Sequence, residues 1–390
     1  MTRTTKIILA IGITVIVIAL GAGAIWYFLG GGAASTSPFR PSLFFPGGGD
    51  LGGGGSDAGA GKGEPTGETP NETKLLQIVK EAVIGPALSQ DESRVFYYKR
   101  AGGNLFRAGL DGQGEENVSN LTILGIIDVA WSEDREQTIV SYAEDGGLKR
   151  FIQTVATATT SFLPQSVTNP RWSKDAANRI VYTELAPAGS RVISADSRGK
   201  NPRALYTNQI PDFSATWADA STIILTTPPS YVVPSISLLL PIGNPATNFI
   251  SERGLGILPN KAGTIFALSG VDNGGRLLPL RFINRKGEVV APTSVSTFIE
   301  KCAWDTAGET LYCAVPTNAG ALLPDNWYQG KTEFNDRFVK IDSRTGNASD
   351  ISSPGGAFDA TSLFADSKGQ YLFFTNKTDS TLWRLELGNG

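Results

Sequence analysis

The sequence predicts an all-β protein, a seven-bladed β-propeller that follows one transmembrane helix and a disordered glycine-rich linker. Three observations carry this prediction: a β-rich repeat in most of the chain, an uncharged apolar segment near the N-terminus, and a glycine-rich stretch between the two. The chain has 390 residues and 41% hydrophobic content. It is therefore long enough to bury one large core and still carry appendages.

The apolar segment spans residues 7–29 and contains no charged side chain. At 1.5 Å per residue it is long enough to cross a hydrocarbon core of about 30 Å. Arg3 and Lys6 precede it, and no basic residue follows until Arg40. We therefore expect residues 1–6 to be cytoplasmic and the rest of this single-pass membrane protein to be extracytoplasmic. A cleaved signal peptide, cut within the small residues 30–35, is the alternative.

Residues 30–72 are dominated by glycine, proline and serine, as in the run "GGGDLGGGGSDAGAGKGEPTGETP". Such a composition cannot bury enough apolar surface to offset the entropy lost on ordering. We interpret this stretch as a flexible linker. It separates the membrane segment from a propeller domain predicted to span residues 73–390.

One pattern recurs seven times within that domain. An apolar strand ends in a large residue, a polar turn follows, and a second apolar strand begins about seven positions later, as in "WSEDREQTIVSY". The intervals between repeats are 43, 41, 45, 41, 46 and 60 residues. A period of this size with short strands is typical of propeller blades. We expect the large residue to fill the wedge between blades at Leu88, Trp131, Trp172, Trp217, Leu258, Trp304 and Phe364.

The two ends of the domain predict how the ring closes. After Phe364 the sequence has apolar segments for two further strands of a blade, so one strand is missing there. Residues 75–79 ("LLQIV") precede the first repeat and belong to no blade of their own. We expect this segment to complete the last blade and so remove an open sheet edge.

The turns "WSED" after Trp131 and "WSKD" after Trp172, each followed by an apolar strand, resemble the repeats of TolB-like and WD-repeat-like bacterial propellers. The similarity covers most of residues 88–387 in degenerate form. It implies the propeller fold. It leaves function open, because such propellers mostly bind macromolecules and sometimes carry enzymes.

Cys302 and Cys313 are the only cysteines, and they flank the turn of one predicted hairpin. Folding the hairpin about Ala307 and Gly308 sets the two cysteines opposite each other. Opposed residues on neighbouring strands can approach disulfide distance, and an extracytoplasmic domain permits oxidation. A cross-strand disulfide is therefore expected, with two buried free thiols as the alternative.

The longest interval follows Trp304, and its extra residues lie within 316–338. Insertions into a repeat usually emerge as loops on one face of the domain. Trp327 and Tyr328, with Asp325 and Lys331 beside them, are candidate binding residues at the tip of such a loop. The alternative is that Trp327 folds down over the propeller.

The chain contains no histidine, which excludes serine–histidine triads and histidine-based metal sites. The sequence indicates no catalytic residue, metal site or cofactor. The net charge of −3 gives no attraction for nucleic acid. We expect a binding or scaffold module for a protein or an envelope polymer, not an enzyme. An envelope hydrolase or lyase that uses carboxylates at the channel mouth is the alternative.

Overall fold

The computed structural model of the protein describes residues 75–388, except residue 176 and residues 353–356. The predicted cytoplasmic segment 1–6, membrane span 7–29 and linker 30–72 lie outside the described residues. Among the residues that are described, no helix combines the length and the apolar character needed to cross a bilayer.

The described strands form seven antiparallel sheets of four strands each. The chain begins with β1 (Leu75–Val79), which precedes the first blade. Blade 1 consists of β2 (Val83–Leu88), β3 (Arg94–Lys99), β4 (Leu105–Gly109) and β5 (Glu116–Asn117). Blade 2 consists of β6 (Ile126–Trp131), β7 (Gln137–Glu144), β8 (Gly147–Thr154) and β9 (Thr160–Phe162). Blade 3 consists of β10 (Thr168–Trp172), β11 (Ile180–Ala186), β12 (Gly189–Ala195) and β13 (Arg203–Asn208).

The remaining blades follow in chain order. Blade 4 consists of β14 (Ser214–Trp217), β15 (Thr222–Thr226), β16 (Ser235–Pro241) and β17 (Thr247–Glu252). Blade 5 consists of β18 (Gly256–Pro259), β19 (Ile265–Ser269), β20 (Arg281–Asn284) and β21 (Val289–Pro292). Blade 6 consists of β22 (Cys302–Trp304), β23 (Thr310–Pro316), β24 (Asp336–Asp342) and β25 (Ala348–Ser352). Blade 7 contains β26 (Ala360–Ala365), β27 (Tyr371–Asn376), β28 (Leu382–Glu386) and β1. The seven-bladed propeller predicted from the repeat is confirmed.

The first strand of the chain closes the ring. β1 pairs antiparallel with β28, with Leu75 opposite Leu385 and Val79 opposite Leu382. An apolar cluster between blades 7 and 1 includes Ile78, Val79 and Tyr97. Each of the other six pairs of neighbouring blades also encloses one apolar cluster of described residues. Every blade therefore shields both of its neighbours from water.

The seven large repeat residues lie in the first strand of each blade, at or within one residue of its end. Three of the tryptophans also hydrogen-bond to the preceding blade. The indole Nε1 of Trp131 donates to the carbonyl oxygen of Gly85 at 2.8 Å, and that of Trp172 donates to Ala130 at 2.9 Å. Trp304 donates to Leu258 at 3.2 Å. Tryptophan suits this position because it fills the wedge and bonds the neighbouring backbone.

The polar turn after the first strand is fixed by the serine and aspartate of the repeat. The Ser132 hydroxyl donates to Asp134 Oδ1 at 2.6 Å and accepts from the backbone N–H of Gln137 at 2.9 Å. Ser173 makes the same bond to Asp175 at 2.6 Å. These aspartates therefore act in the turn, as such side chains commonly do.

The two cysteines face each other across one hairpin. Cys302 on β22 is directly opposite Cys313 on β23, and their sulfur atoms form a disulfide bond. Both side chains lie in the apolar cluster between blades 5 and 6. Of the two alternatives that the sequence left open, the structure contains the cross-strand disulfide.

Candidate functional site

The antiparallel topology divides the loops of the propeller between two faces. In every blade the first strand is the inner strand of the propeller. It runs from one face of the propeller, here called the upper face, to the other. Connections between second and third strands, and connections from one blade to the next, therefore all lie at the upper face. The longest second-to-third connections come from the consecutive blades 4, 5 and 6, at residues 227–234, 270–280 and 317–335.

These three loops pack together, and we call them the cap. The loop of blade 6 bonds to that of blade 5 through the backbone N–H groups of Leu322 and Leu323, which donate to Gly274 and Gly275 at 3.0 and 2.9 Å. Gly275 has a φ of 71°, and a Cβ there would lie 2.6 Å from the Cα of Leu322. Only glycine fits so close an approach.

The cap has its own apolar core. The Trp327 ring stacks on Phe298 with a centroid distance of 4.9 Å, and it also contacts Phe334. Val271 and Leu323 complete this buried cluster. Trp327 is 0% exposed. Trp327 is therefore not at an exposed tip: of the two alternatives that the sequence left open, the structure contains the one in which the indole folds down over the propeller, at the centre of the core that holds the cap.

The three neighbours of Trp327 that the sequence singled out have different surroundings. The Asp325 carboxylate accepts hydrogen bonds from the Ser230 hydroxyl and from the backbone N–H of Tyr231, both at 2.9 Å. The Tyr328 hydroxyl donates to Glu300. Lys331 is exposed. Asp325 and Tyr328, both half-buried, therefore fix the cap, and of the four residues only Lys331 is fully exposed.

A buried ion cluster lies beneath the cap, between blades 6 and 7. The fully buried Lys301 ammonium donates to Asp336 at 2.7 Å, to Asp359 at 2.6 Å and to the Ala360 carbonyl oxygen at 2.9 Å. All three of its N–H groups are thus used. Asp359 also accepts from the Trp327 indole at 2.9 Å. This cluster, which the sequence analysis missed, joins both blades to the cap.

Glu300, next to Lys301, is held by Tyr328 of the cap. Its burial raises the pKa of the carboxyl, although the Tyr328 hydrogen bond opposes the shift. The pKa of Tyr328 is raised well above its usual value, first by burial and then by the charge of Glu300. The folded protein therefore holds a proton on Glu300 more readily than the unfolded chain does.

We expect Glu300→Gln to raise the melting temperature at pH 7 and to have a smaller effect at pH 4. Because the pKa is raised on folding, this group lowers stability as the pH rises above the ordinary glutamate range. Glutamine cannot ionise and still accepts the Tyr328 bond. Thermal denaturation of both proteins at both pH values measures this. The exposed Glu136→Gln is the control, and an equal gain at both pH values would contradict the prediction.

A cavity of about 120 Å³ opens where the inner strands of blades 7, 1 and 2 begin, at the upper face. We call it the mouth cavity. Its charged lining residues are Arg100, Asp128 and Lys377. The complete lining is Val83, Ile84, Gly85, Arg100, Ile127, Asp128, Val129, Thr361, Ser362, Thr375, Lys377 and Ser380.

The mouth cavity is adjacent to the cap and carries positive charge. Lys377 Nζ donates to the Trp327 carbonyl oxygen at 3.0 Å, which links the two features. Asp128 is paired with Arg171 at 2.7 Å. Burial lowers the pKa of both Arg100 and Lys377. Two partly desolvated cations therefore face one carboxylate that already has a cationic partner.

No family model matches the sequence, and no curated protein matches it. Solved structures match in fold. An oligogalacturonate lyase from Vibrio parahaemolyticus has a TM-score of 0.56 at 10% identity, covering 82% of this chain and 92% of that one. The β-propeller domain of the Trilobed protease from Pyrococcus furiosus has a TM-score of 0.51 at 11% identity, and the match covers 80% of this chain and 97% of that domain. TolB from Acinetobacter baumannii has a TM-score of 0.42 at 13% identity, and the match covers 79% of this chain and 64% of TolB.

At these identities the likeness shows the fold alone. The chain has the propeller fold that its TolB-like repeats imply. These similar structures include a lyase and part of a protease, so the fold itself does not select between binding and catalysis.

Proposed function

We propose that this protein is a membrane-anchored extracytoplasmic propeller that binds a protein of the cell envelope through its upper face. The observation that carries the proposal is a pair of apolar side chains of the cap that are exposed to solvent. Val232 and Val233 are 60% and 58% exposed and lie side by side in the loop of blade 4. Leu322, from the loop of blade 6, is a third exposed apolar residue of the cap.

The loop that carries the two valines is fixed from both sides. The Arg253 guanidinium donates to the carbonyl oxygens of Tyr231 and Val232. Asp325 accepts from the Tyr231 N–H at 2.9 Å. An apolar tip on a fixed loop loses little further entropy on binding, which favours recognition of a partner protein.

The predicted membrane segment 7–29 and linker 30–72 support the same proposal. A flexible tether of this kind keeps a binding domain near the membrane and raises its effective concentration there. Fractionation of cells that express the full chain should place it in the membrane, with the propeller accessible to protease from outside the cytoplasm. Recovery in the soluble cytosolic fraction would contradict the anchored topology.

The proposal includes no catalytic step. Converging carboxylates at the channel mouth would be needed for the hydrolase or lyase alternative. Asp128 is the single carboxylate among the residues that line the mouth cavity, and it is paired with Arg171. We therefore base the proposed function on binding.

We expect the double change Val232→Ser, Val233→Ser to lower partner capture by the full chain at least about tenfold. Burial of a valine contributes roughly 1.5 kcal/mol or more, and about 1.4 kcal/mol corresponds to a factor of ten in affinity. The measurement is quantitative affinity capture from solubilised envelopes, comparing the amounts of the proteins that co-purify with wild type.

The matched control is Val289→Ser, Val290→Ser, because these valines are 54% and 42% exposed on β21, an outer strand away from the cap. Capture should be unchanged in this control. Equal capture by all three proteins, or equal loss in both variants, would remove the cap from the proposed function.

A further inference from the structure

The mouth cavity contains a buried hydroxyl group that has no hydrogen-bond partner among the described residues. Thr375, on β27, lines the cavity and is 8% exposed. Its Oγ1 atom makes no hydrogen bond to any described residue. A buried polar atom without a partner costs free energy, so such atoms are rare unless a bound group satisfies them.

Arg100 brings unused donors to the same cavity. Within the described part of the chain, its side chain makes one hydrogen bond, from Nε to the Val83 carbonyl oxygen at 3.3 Å, and no salt bridge. A guanidinium has five N–H donors, so the two terminal nitrogens remain available to a ligand. Burial lowers its pKa, and no carboxylate opposes that shift. An anion in the cavity would supply the missing counter-charge.

The other charged residues of the cavity indicate the charge of the anion, and the cavity volume indicates its size. Lys377 adds a second positive charge, although Asp359 partly offsets the effect of its burial. Asp128 is the one carboxylate of the lining, and Arg171 neutralises it at 2.7 Å. The cavity thus has a moderate positive excess that suits a group with a single negative charge. Its volume of about 120 Å³ is well below the several hundred Å³ of a whole-ligand pocket.

We propose that the mouth cavity binds a carboxylate group, either that of a small organic acid or one presented by a larger ligand. The planar guanidinium of Arg100 pairs with both carboxylate oxygens, as arginine and carboxylate groups commonly do. The Thr375 hydroxyl donates to one of these oxygens, and the Lys377 ammonium adds attraction. The site deepens the proposed binding function by naming a ligand chemistry, but none of its residues belongs to the valine pair of the cap.

The test uses the full chain in detergent, titrated calorimetrically with sodium acetate and sodium succinate at constant ionic strength. Sodium phosphate is titrated in parallel. We expect saturable binding of at least one carboxylate, tighter than that of phosphate. Arg100→Gln should weaken it at least about tenfold, since a charge-assisted pair is lost. Arg203→Gln, an exposed arginine on an outer strand, should leave it unchanged.

Thr375→Val separates a ligand site from a structural role. The valine removes a hydroxyl group that bonds to no other residue in the described part of the protein, so the melting temperature should stay the same or rise, while carboxylate affinity falls severalfold. Absence of saturable carboxylate binding, tighter phosphate binding, or unchanged affinity in both Arg100→Gln and Thr375→Val would overturn the assignment. Because partner capture is measured on the valine variants, a failed titration with retained capture overturns this site alone.

Discussion

Replacing Lys301 by methionine is expected to destabilise the folded protein by about 3–5 kcal/mol, the usual cost of removing one partner from a buried ion cluster. The change leaves Asp336 and Asp359 buried without their cation. Both carboxylates are fully buried, as is the lysine. Denaturant unfolding followed by tryptophan fluorescence measures the effect.

The surroundings of the two carboxylates differ, and they indicate that Asp336 contributes less to stability than Lys301 does. Burial raises the pKa of Asp336, and Lys301 opposes that rise. Asp336 Oδ1 has no partner among the described residues. Asp359, in contrast, accepts from Lys301, from the Trp327 indole and from the Phe334 N–H. We therefore expect Asp336→Asn to cost less stability than Lys301→Met.

Two further variants make this expectation specific. Lys301→Met combined with Asp336→Asn should recover part of the loss, because one of the two carboxylates that lose the Lys301 ammonium is then neutral. Lys340→Met is the control, since Lys340 is exposed on β24, the strand that begins with Asp336. An exposed lysine of this kind is usually worth within about 0.5 kcal/mol. If Lys301→Met unfolded at the same midpoint as Lys340→Met, the cluster would have no stabilising role.

The propeller could be predicted from sequence because its signals are local and repeat. A turn such as that of Ser132 and Asp134 uses residues two to five positions apart, and Ser173 and Asp175 repeat its hydrogen bond 41 positions later. The opposition of Cys302 and Cys313 also follows from counting residues about one turn. The closing strand was predictable because a four-stranded blade at the C-terminus lacked one strand.

The cap and the ion cluster could not be predicted in the same way. Trp327 is buried through contacts with Phe298 and Asp359, which lie 29 and 32 positions away and belong to no repeat. An aromatic residue in an insertion has the same sequence pattern whether it lies in a core or at an exposed tip. Lys301 gave a weaker signal that was available: two charges, at 300 and 301, interrupt an apolar stretch at the start of a blade.

The mouth cavity also could not be predicted from the sequence. Arg100 and Thr375 are brought together by ring closure from opposite ends of the domain, in blades 1 and 7. No spacing rule connects them. That the buried Thr375 hydroxyl bonds to none of the described residues is visible only once its three-dimensional surroundings are known.

Replacing residues 75–79 of the full chain by glycine and serine is expected to destabilise the propeller by at least about 3 kcal/mol. Ile78 and Val79 are both buried between blades 7 and 1, and burial of such a side chain contributes roughly 1.5–3 kcal/mol. The replacement also removes side chains that cover β28, for example that of Leu75, which packs against the cluster containing Leu385.

The second consequence is an exposed sheet edge. Without β1, the backbone groups of β28 would face solvent along an edge that contains Leu382 and Leu385, and such edges pair with other chains. We therefore expect a lower melting temperature together with concentration-dependent association, measured by thermal denaturation and by light scattering after size-exclusion chromatography. The same five-residue replacement at residues 64–68, within the predicted linker, is the control. A variant with the melting temperature and the molecular mass of the wild type would contradict this prediction. It would show that the six other inter-blade clusters stabilise the propeller without the closing strand.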